Sequence, residues 1–140
     1  MPARPRLMLA DDHAETRELL RGLLMTDFDI VADVADGEAL VSLTGQLAPD
    51  VVVTDIAMPG LDGIEAAFLI HGRQPEVRIV LVTVHGDSWL VERGLMAGAL
   101  GYVLKGAAGD DLVPAVHAAL DGERYVSRAI HYVPPIDEQE

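Results

Sequence analysis

The fold is decided by the stretch Val51-Val52-Val53-Thr54-Asp55, in which four β-branched residues in a row end on an acid. Runs of this kind are typical of strands that are buried on both faces of a parallel sheet. In an open α/β sheet, ligands bind at the carboxyl ends of the strands. We therefore expect Asp55 to lie at a ligand-binding edge of such a sheet.

Similar apolar runs occur on both sides of this stretch, with segments of helical periodicity between them. The runs that predict strands cover residues 6–10, 30–34, 79–82 and 102–104. Apolar residues at helical spacing predict a first helix over about residues 14–25 and further helices in the later intervals. Strict alternation predicts five parallel strands and five helices, joined by right-handed crossovers in a three-layer α/β sandwich.

Local signals indicate where some helices begin. Asp36 is suited to be the N-cap of the second helix. The last helix is predicted over about residues 111–121 and contains Pro114. A proline is tolerated there only if Asp110 or Asp111 is the N-cap, because first-turn amides have no intrahelical acceptor to lose.

The chain is predicted to contain one domain followed by a short extension. Its 140 residues, half of them hydrophobic, suffice for one compact core. The helical pattern fades after residue 121, so residues 1–121 are predicted to form the domain. Residues 122–140 are predicted to be a linker or C-terminal tail that is too short to hold an effector domain.

Charge and composition exclude several functions. The formal net charge of −13 repels phosphate backbones and anionic membrane surfaces, so we expect no direct nucleic-acid binding by this segment and no membrane association. The chain has no cysteine, which argues against disulfides and thiolate chemistry. No apolar run approaches the roughly 20 residues that cross a bilayer. These features predict a cytoplasmic protein.

Five polar residues directly follow or end the predicted strands: Asp11, Asp12, Asp55, Thr83 and Lys105. Since parallel strands bring their carboxyl ends to one edge of the sheet, these side chains are expected to converge. Adjacent acids repel each other, and Mg²⁺ relieves that repulsion while binding oxygen ligands. A carboxylate beside such an ion and an ammonium group can attack phosphorus as a nucleophile. The sequence therefore predicts a site for Mg²⁺ and a phosphoryl group.

Each of these residues also has a purely structural explanation. An Asp-Asp pair before a helix can serve only as an N-cap that interacts favourably with the helix dipole. Thr83 is also explained as a β-branched strand residue and Lys105 as a solvated surface charge. The joint arrangement of five complementary groups at one sheet edge favours the site.

Two stretches, together with the Asp11-Asp12 pair, resemble the receiver domains of two-component response regulators. Residues 51–63, Val-Val-Val-Thr-Asp-Ile-Ala-Met-Pro-Gly-Leu-Asp-Gly, are similar to the phosphoacceptor strand and loop of that family. Residues 101–105, Gly-Tyr-Val-Leu-Lys, are similar to its fifth strand, and the likeness runs from about residue 6 to 121. The residues of these stretches most resemble those of the NarL/FixJ subgroup, whose members carry a LuxR-type helix-turn-helix. The resemblance implies a doubly wound (βα)5 flavodoxin-like fold with strand order 2-1-3-4-5.

The resemblance also implies roles for the site residues. Asp55 would accept a phosphoryl group from a phosphohistidine on a sensor histidine kinase. Mg²⁺ would be bound by Asp55 and Asp12 directly, by Asp11 through water, and by the Ala57 carbonyl. Thr83 and Lys105 would hold the phosphoryl oxygens. The output would be transcription, controlled through a DNA-binding domain that is not in this chain, and a homodimer is compatible with this family.

Activation in the family couples Thr83 to an aromatic residue, here Tyr102, which turns inward as the hydroxyl moves toward the phosphoryl group. The alternative is that Tyr102 is a fixed strand residue with an amphipathic ring. Val84 is larger than the residue usual in the family, which predicts a narrower approach for the phosphodonor. We expect the His85 imidazole to make the lifetime of the phosphorylated state depend on pH near neutrality, with an exposed loop histidine as the alternative.

A partner surface is predicted on the fourth helix. Trp89, Arg93 and Met96 are spaced i, i+4 and i+7, opposite the residues expected to face the sheet. An exposed tryptophan and methionine beside a cation indicate a contact surface for another protein or a second copy. The alternative is that Trp89 folds back onto its own domain.

Two other functions use similar features. A magnesium-dependent phosphatase with an aspartyl nucleophile normally places a second acid two residues after the nucleophile, where this chain has Ala57. This difference argues against turnover of an external substrate, so a switch rather than an enzyme is expected. A degenerate receiver that binds partners without phosphate would be expected to lack one of the five site residues, and none is lacking.

Overall fold

A six-stranded parallel sheet organises the computed structural model, which describes residues 3–130. The strands are β1 (Arg6–Ala10), β2 (Asp29–Val34), β3 (Val51–Thr54), β4 (Arg78–Thr83), β5 (Gly101–Leu104) and β6 (Tyr125–Val126). The helices are α1 (Ala14–Leu24), α2 (Gly37–Leu47), α3 (Gly63–Arg73), α4 (Ser88–Met96) and α5 (Ala108–Leu120), with a 3₁₀ turn over Lys105–Ala107. The strand order is β2-β1-β3-β4-β5-β6. The predicted α/β fold and the order 2-1-3-4-5 are confirmed, and β6 is added beside β5.

Helices cover both faces of the sheet, and each face has its own apolar core. One core packs α2, α3 and α4 against side chains such as Met8, Val52 and Leu81. The other packs α1 and α5 against the alternate residues of the same strands, such as Leu9 and Val53. Val51, Val52 and Val53 are all fully buried, because successive side chains of a strand point to opposite faces. This explains why the central strand is apolar at every position.

The loops at the carboxyl edge are fixed by helix caps. The Asp36 side chain accepts a hydrogen bond from Ala39 N at 2.8 Å, as predicted for the second helix. At the start of α3, Asp62 and Glu65 form a reciprocal capping box that the sequence reading did not identify. This box satisfies two otherwise unpaired backbone amides and anchors the loop that follows Asp55.

The predicted start of the last helix is wrong. α5 begins at Ala108, directly after the 3₁₀ turn, so neither Asp110 nor Asp111 is its N-cap and Pro114 lies in its interior. Pro114 has no amide to donate to the carbonyl four residues earlier, at Asp110. Both residues are exposed, so water can bind the carbonyl that the proline leaves without a partner.

The first residues after position 121, predicted as the start of a linker or tail, contact the sheet. β6 pairs with β5, and Ser127 and Ile130 are buried. Asp111 accepts hydrogen bonds from the hydroxyls of Tyr125 and Ser127, both at 2.8 Å. These bonds fasten the segment to the first turns of α5. Residues 131–140 lie outside the described residues, and the domain boundary at residue 121 stays a prediction.

Within residues 3–130, none of the helices is both long and apolar enough to span a lipid bilayer. The longest, α5, has 13 residues.

Candidate functional site

Four strands deliver polar residues to one edge of the sheet. Asp11 follows β1, Asp55 follows β3, Thr83 ends β4, and Lys105 follows β5. β1 and β3 are direct neighbours, and the Asp55 amide continues their pairing by donating to Ala10 O at 2.9 Å. The register of the sheet thus sets Asp11 and Asp55 side by side at its carboxyl edge.

A lysine ammonium joins two of the acids. Lys105 Nζ lies 2.8 Å from Asp11 Oδ2 and 3.0 Å from Asp55 Oδ2. The side chains of Asp11 and Asp55 are 0% and 5% exposed, and that of Lys105 is 15% exposed. Two almost fully buried carboxylates therefore depend on one cation for compensation of their charge.

Burial and the ammonium act in opposite directions on Asp55. Burial raises the pKa of the Asp55 carboxyl, Lys105 works against that rise, and the net shift is upward. For Lys105, burial lowers the pKa of the ammonium, but its bonds to Asp11 and Asp55 outweigh burial and the net shift is again upward. Lys105 therefore stays charged at neutral pH, whereas the surroundings of Asp55 disfavour its charged form, which a further cation would stabilise.

The raised pKa of Asp55 predicts a specific pH dependence of stability. The folded protein binds the Asp55 proton more tightly than the unfolded chain, so this group lowers the free energy of unfolding as pH rises from the ordinary carboxyl value of 3.8 through the raised pKa. In metal-free buffer, Asp55→Asn should gain stability relative to the parent at about pH 7 and lose that advantage toward about pH 4. Urea unfolding at a series of pH values measures this difference. A difference that does not change with pH would contradict the assignment.

The acid cluster has the composition of a cation site. Ligand atoms of Asp11, Asp12, His13 and Asp55 all lie within 4.8 Å of one another. Asp11 Oδ2 lies 2.8 Å from Lys105 Nζ, Asp12 Oδ1 lies 3.1 Å from His13 Nδ1, and both oxygens are buried. Carboxylates grouped this closely repel one another, and a divalent ion that binds oxygen ligands offsets that repulsion. The residues present thus fit a hard divalent cation.

Two further residues predicted for the site, Thr83 and Ala57, lie near the acids. Thr83 is fully buried, and its Oγ1 accepts a hydrogen bond from His85 N at 3.3 Å. The sheet register places Thr83 close to Asp55, because Leu81 pairs with Thr54 on the neighbouring strand. Ala57 is exposed in the loop after β3. Thr83 and Ala57 thus lie at the same edge as the acids, with their ligand-binding roles still predictions.

Tyr102 points into the protein. It is fully buried, and its hydroxyl donates to His85 O at 2.7 Å. Burial, followed by the charge of Asp87, raises the pKa of the Tyr102 hydroxyl, so it remains a donor at any physiological pH. His85 is exposed and contacts both Thr83 and Tyr102 through its backbone. Val84, which lies between Thr83 and His85 in the sequence, is 67% exposed.

His13 is a residue that the sequence reading did not include in the site. Its Nδ1 lies 3.1 Å from Asp12 Oδ1 and 3.7 Å from Asp11 Oδ1. The available signal was its position directly after the two acids, at the start of a helix. Arg17 was also missed, and its Nη1 donates to Asp11 O at 2.8 Å from the first turn of α1.

The predicted partner surface lies on the outer face of α4. Trp89 and Met96 are 60% and 78% exposed, while Val91 and Leu95 of the same helix are buried. The exposure of Trp89 disfavours the alternative that it folds back onto its own domain. Arg93 and Met96 also line a groove of about 500 Å³ between α3 and α4, together with apolar residues that include exposed Phe68. The structure thus leaves an apolar face on α3 and α4.

Comparison with protein families gives one match over most of the chain. A family model described as the response regulator receiver domain matches residues 7–117. The transcriptional regulatory protein DegU of Brevibacillus brevis is 36% identical over 123 residues, which cover 86% of this chain and 52% of DegU. The response regulator GacA of Pseudomonas aeruginosa is 34% identical over 127 residues, which cover 89% of this chain and 59% of GacA. This chain therefore spans between half and three fifths of the length of these relatives.

Solved structures agree with the sequence matches. A LuxR-family two-component response regulator from Aurantimonas sp. SI85-9A1 superposes with a TM-score of 0.87 at 37% identity, covering 91% of this chain and 93% of that one. The signal receiver domain of NarL from Mycobacterium tuberculosis superposes with a TM-score of 0.83 at 30% identity, covering 87% of this chain and all of that one. The similarity thus extends over about nine tenths of this chain.

Proposed function

The chain belongs to the response regulator receiver domain family, and from that premise we propose that it is the phosphoacceptor switch of a two-component phosphorelay. Receiver domains of this family are signalling switches of two-component systems. Asp55 would accept the phosphoryl group, and the domain would turn over no external substrate.

One observation carries the proposal: Lys105 Nζ lies 3.0 Å from Asp55 Oδ2 within a cluster of buried acids. A carboxylate normally repels an incoming phosphoryl group, because both are negatively charged. A cation that contacts the attacking carboxylate offsets that repulsion and can neutralise charge on the equatorial phosphoryl oxygens. Lys105 is the only lysine of the sequence, so no second lysine competes for this role.

The proposed reaction is an in-line transfer between a phosphohistidine and Asp55. An Asp55 carboxylate oxygen attacks phosphorus, the new P–O bond forms as the P–N bond breaks, and the imidazole nitrogen of the kinase keeps the electron pair. Lys105 and the Thr83 hydroxyl would bind the phosphoryl oxygens. The product is an aspartyl phosphate, which water later hydrolyses.

Mg²⁺ is the proposed cofactor. Asp12 and Asp55 would hold it directly, Asp11 would act through water, and the Ala57 carbonyl would complete the protein ligands. When bound, the ion would screen the charge between the carboxylates and the phosphoryl group. The support from this chain is the grouping of Asp11, Asp12 and Asp55, whose carboxylate oxygens lie within 4.8 Å of one another.

Thr83 and Tyr102 are proposed to convert phosphorylation into a change of surface. The Thr83 hydroxyl would leave the His85 amide for a charge-assisted bond to the phosphoryl group. His85 O accepts the hydrogen bond of the Tyr102 hydroxyl. A movement of the residues after β4 would therefore also shift the Tyr102 ring. The proposed result is a redistribution between two arrangements of α4 and β5.

The partners and output follow the same proposal. A sensor histidine kinase would supply the phosphoryl group in the cytoplasm, and a DNA-binding domain outside this chain would control transcription. Trp89, Arg93 and Met96 are proposed to form a contact surface for a partner or for a second copy in a homodimer. If Trp89→Ala leaves both self-association and kinase binding unchanged, that surface has no such role.

The proposed function is tested by incubating the protein with acetyl phosphate and Mg²⁺ and measuring the intact mass over time. We expect one phosphoryl group per chain, lost slowly after the donor is removed, and none on Asp55→Asn. Continuous consumption of acetyl phosphate far beyond one equivalent would instead indicate a phosphatase. Absence of any adduct on a folded, Mg²⁺-binding protein would indicate a binding module that works without phosphate.

A further inference from the structure

The imidazole of His13 lies at the rim of the acid cluster, where an oxygen donor or water would be expected around Mg²⁺. Its backbone amide donates to Asp11 Oδ1 at 2.9 Å, which fixes the start of α1 against the acids. The side chain is 71% exposed, yet its Nδ1 points to the acids rather than to solvent, 3.1 Å from Asp12 Oδ1. The ring is therefore held at the cluster by its neighbours in the chain.

The spacing of these donors suits a shared ion. Two ligands at adjacent positions around one ion, each with a bond of about 2.1 Å, lie roughly 3 Å apart. The 3.1 Å between His13 Nδ1 and Asp12 Oδ1 matches that spacing. All four ligand atoms of the cluster lie within 4.8 Å of one another. Ligands on opposite sides of one ion lie roughly 4.2 Å apart, so a side-chain movement of about 0.6 Å would bring all four to one ion.

We propose that His13 is a fourth protein ligand of this site and that its imidazole shifts the site's preference from Mg²⁺ toward divalent transition-metal ions, with Mn²⁺ and Zn²⁺ as probes. Mg²⁺ is a hard ion that selects oxygen ligands and keeps its waters, so a neutral nitrogen adds little to its binding. Imidazole suits Zn²⁺ well, whereas Mn²⁺ is the weakest binder of the first-row series and gains less from a nitrogen ligand. The inference rests on the proposed function only in that it concerns the same metal site.

The sharpest test detects the nitrogen on the metal. With Mn²⁺ bound to the full chain, pulsed EPR should show the modulation of a directly coordinated imidazole nitrogen. His13→Asn, which offers an amide of similar size, should remove that signal, whereas His71→Asn should keep it. His71 is an exposed histidine on α3, at the far end of the sheet from the acids.

Affinity supplies a second readout. Calorimetric titration should show that His13→Asn weakens Zn²⁺ binding roughly tenfold or more and Mn²⁺ binding less, while Mg²⁺ binding changes by less than about twofold. His71→Asn should leave all three unchanged. Absence of nitrogen modulation in the parent, or an equal loss of affinity for all three ions in His13→Asn, would overturn the proposal. The 3.1 Å contact would then be only a pairing of His13 with Asp12.

Failure of this inference can be told apart from failure of the proposed function. Metal binding is measured without any phosphodonor, so a nitrogen signal that depends on His13 stands even if Asp55 never accepts a phosphoryl group. Conversely, a parent protein that is phosphorylated with Mg²⁺ but shows no coordinated nitrogen rejects the role of His13 alone.

Discussion

Lys105→Met is expected to lower the free energy of unfolding at pH 7 by about 3 kcal/mol in metal-free buffer, the usual cost of removing one partner of a buried ion pair. Methionine nearly matches the length of lysine but removes the ammonium that contacts Asp11 and Asp55. Both carboxylates would then be buried beside each other without compensation. Urea unfolding, followed by circular dichroism, measures the effect.

The same variant should also fail in phosphoryl acceptance. Removing a group that neutralises developing charge typically costs a hundredfold or more, so labelling by acetyl phosphate should slow on the order of a hundredfold. Arg73→Met is the matched control, since it removes one positive charge from an exposed position on α3 and should change stability by less than about 0.5 kcal/mol. If Lys105→Met were as stable and as readily labelled as Arg73→Met, the assigned role of the ammonium would be wrong.

Gly63→Ala should be comparably damaging, for a steric reason. Gly63 opens α3, and its amide donates to Ile56 O at 2.8 Å, so its backbone lies against the loop that carries Asp55. A Cβ at this position would overlap the Asp55 carbonyl oxygen and approach Ile56 Cα to 2.9 Å. These contacts are with backbone, which cannot rotate away. We expect a loss of about 3 kcal/mol in unfolding free energy, at the upper end of overpacking effects, together with displacement of Asp55.

Gly72→Ala, in the same helix, is the control for Gly63→Ala. A Cβ at Gly72 meets no heavy atom within 4 Å, so the substitution should stabilise the helix by roughly 0.5–1 kcal/mol. Chemical denaturation of the two variants gives opposite signs if the close approach of Gly63 to the phosphoacceptor loop is real. Equal stabilities of the two alanine variants would refute it.

Sequence predicted the sheet well because burial on both faces leaves a strong local signal. The runs at residues 6–10 and 51–54 match β1 and β3 residue for residue. β6 was missed because a two-residue strand has no period to detect, and its place depends on the distant Asp111 carboxylate. The start of α5 was missed because Pro114 predicts a first-turn position, while the helix begins at Ala108. An exposed face removes the need for that position, since water can bind the carbonyl that the proline leaves unpaired.

The site followed from sequence to the extent that strand order fixes position. Ligands bind at the carboxyl ends of strands, and this rule predicted that Asp11, Asp55 and Lys105 would lie together. In the structure, Lys105 Nζ lies within 3.0 Å of a carboxylate oxygen of each acid. His13 was missed because Mg²⁺ selects oxygen ligands, which gives no reason to include an imidazole. The exposure of Trp89 agrees with the helical spacing that predicted it, whereas the inward position of Tyr102 depends on packing between elements, which a single sequence does not encode locally.

The central claim is that Asp55 carries the phosphoryl group, and locating that group tests it most directly. Sodium borohydride reduces an aspartyl phosphate to homoserine with release of phosphate, which marks the modified residue permanently. Peptide mass mapping of the protein after treatment with acetyl phosphate, Mg²⁺ and borohydride should find homoserine at position 55 and at no other aspartate. Homoserine at position 11 or 12, or a phosphorylated chain with an unmodified Asp55, would contradict the account.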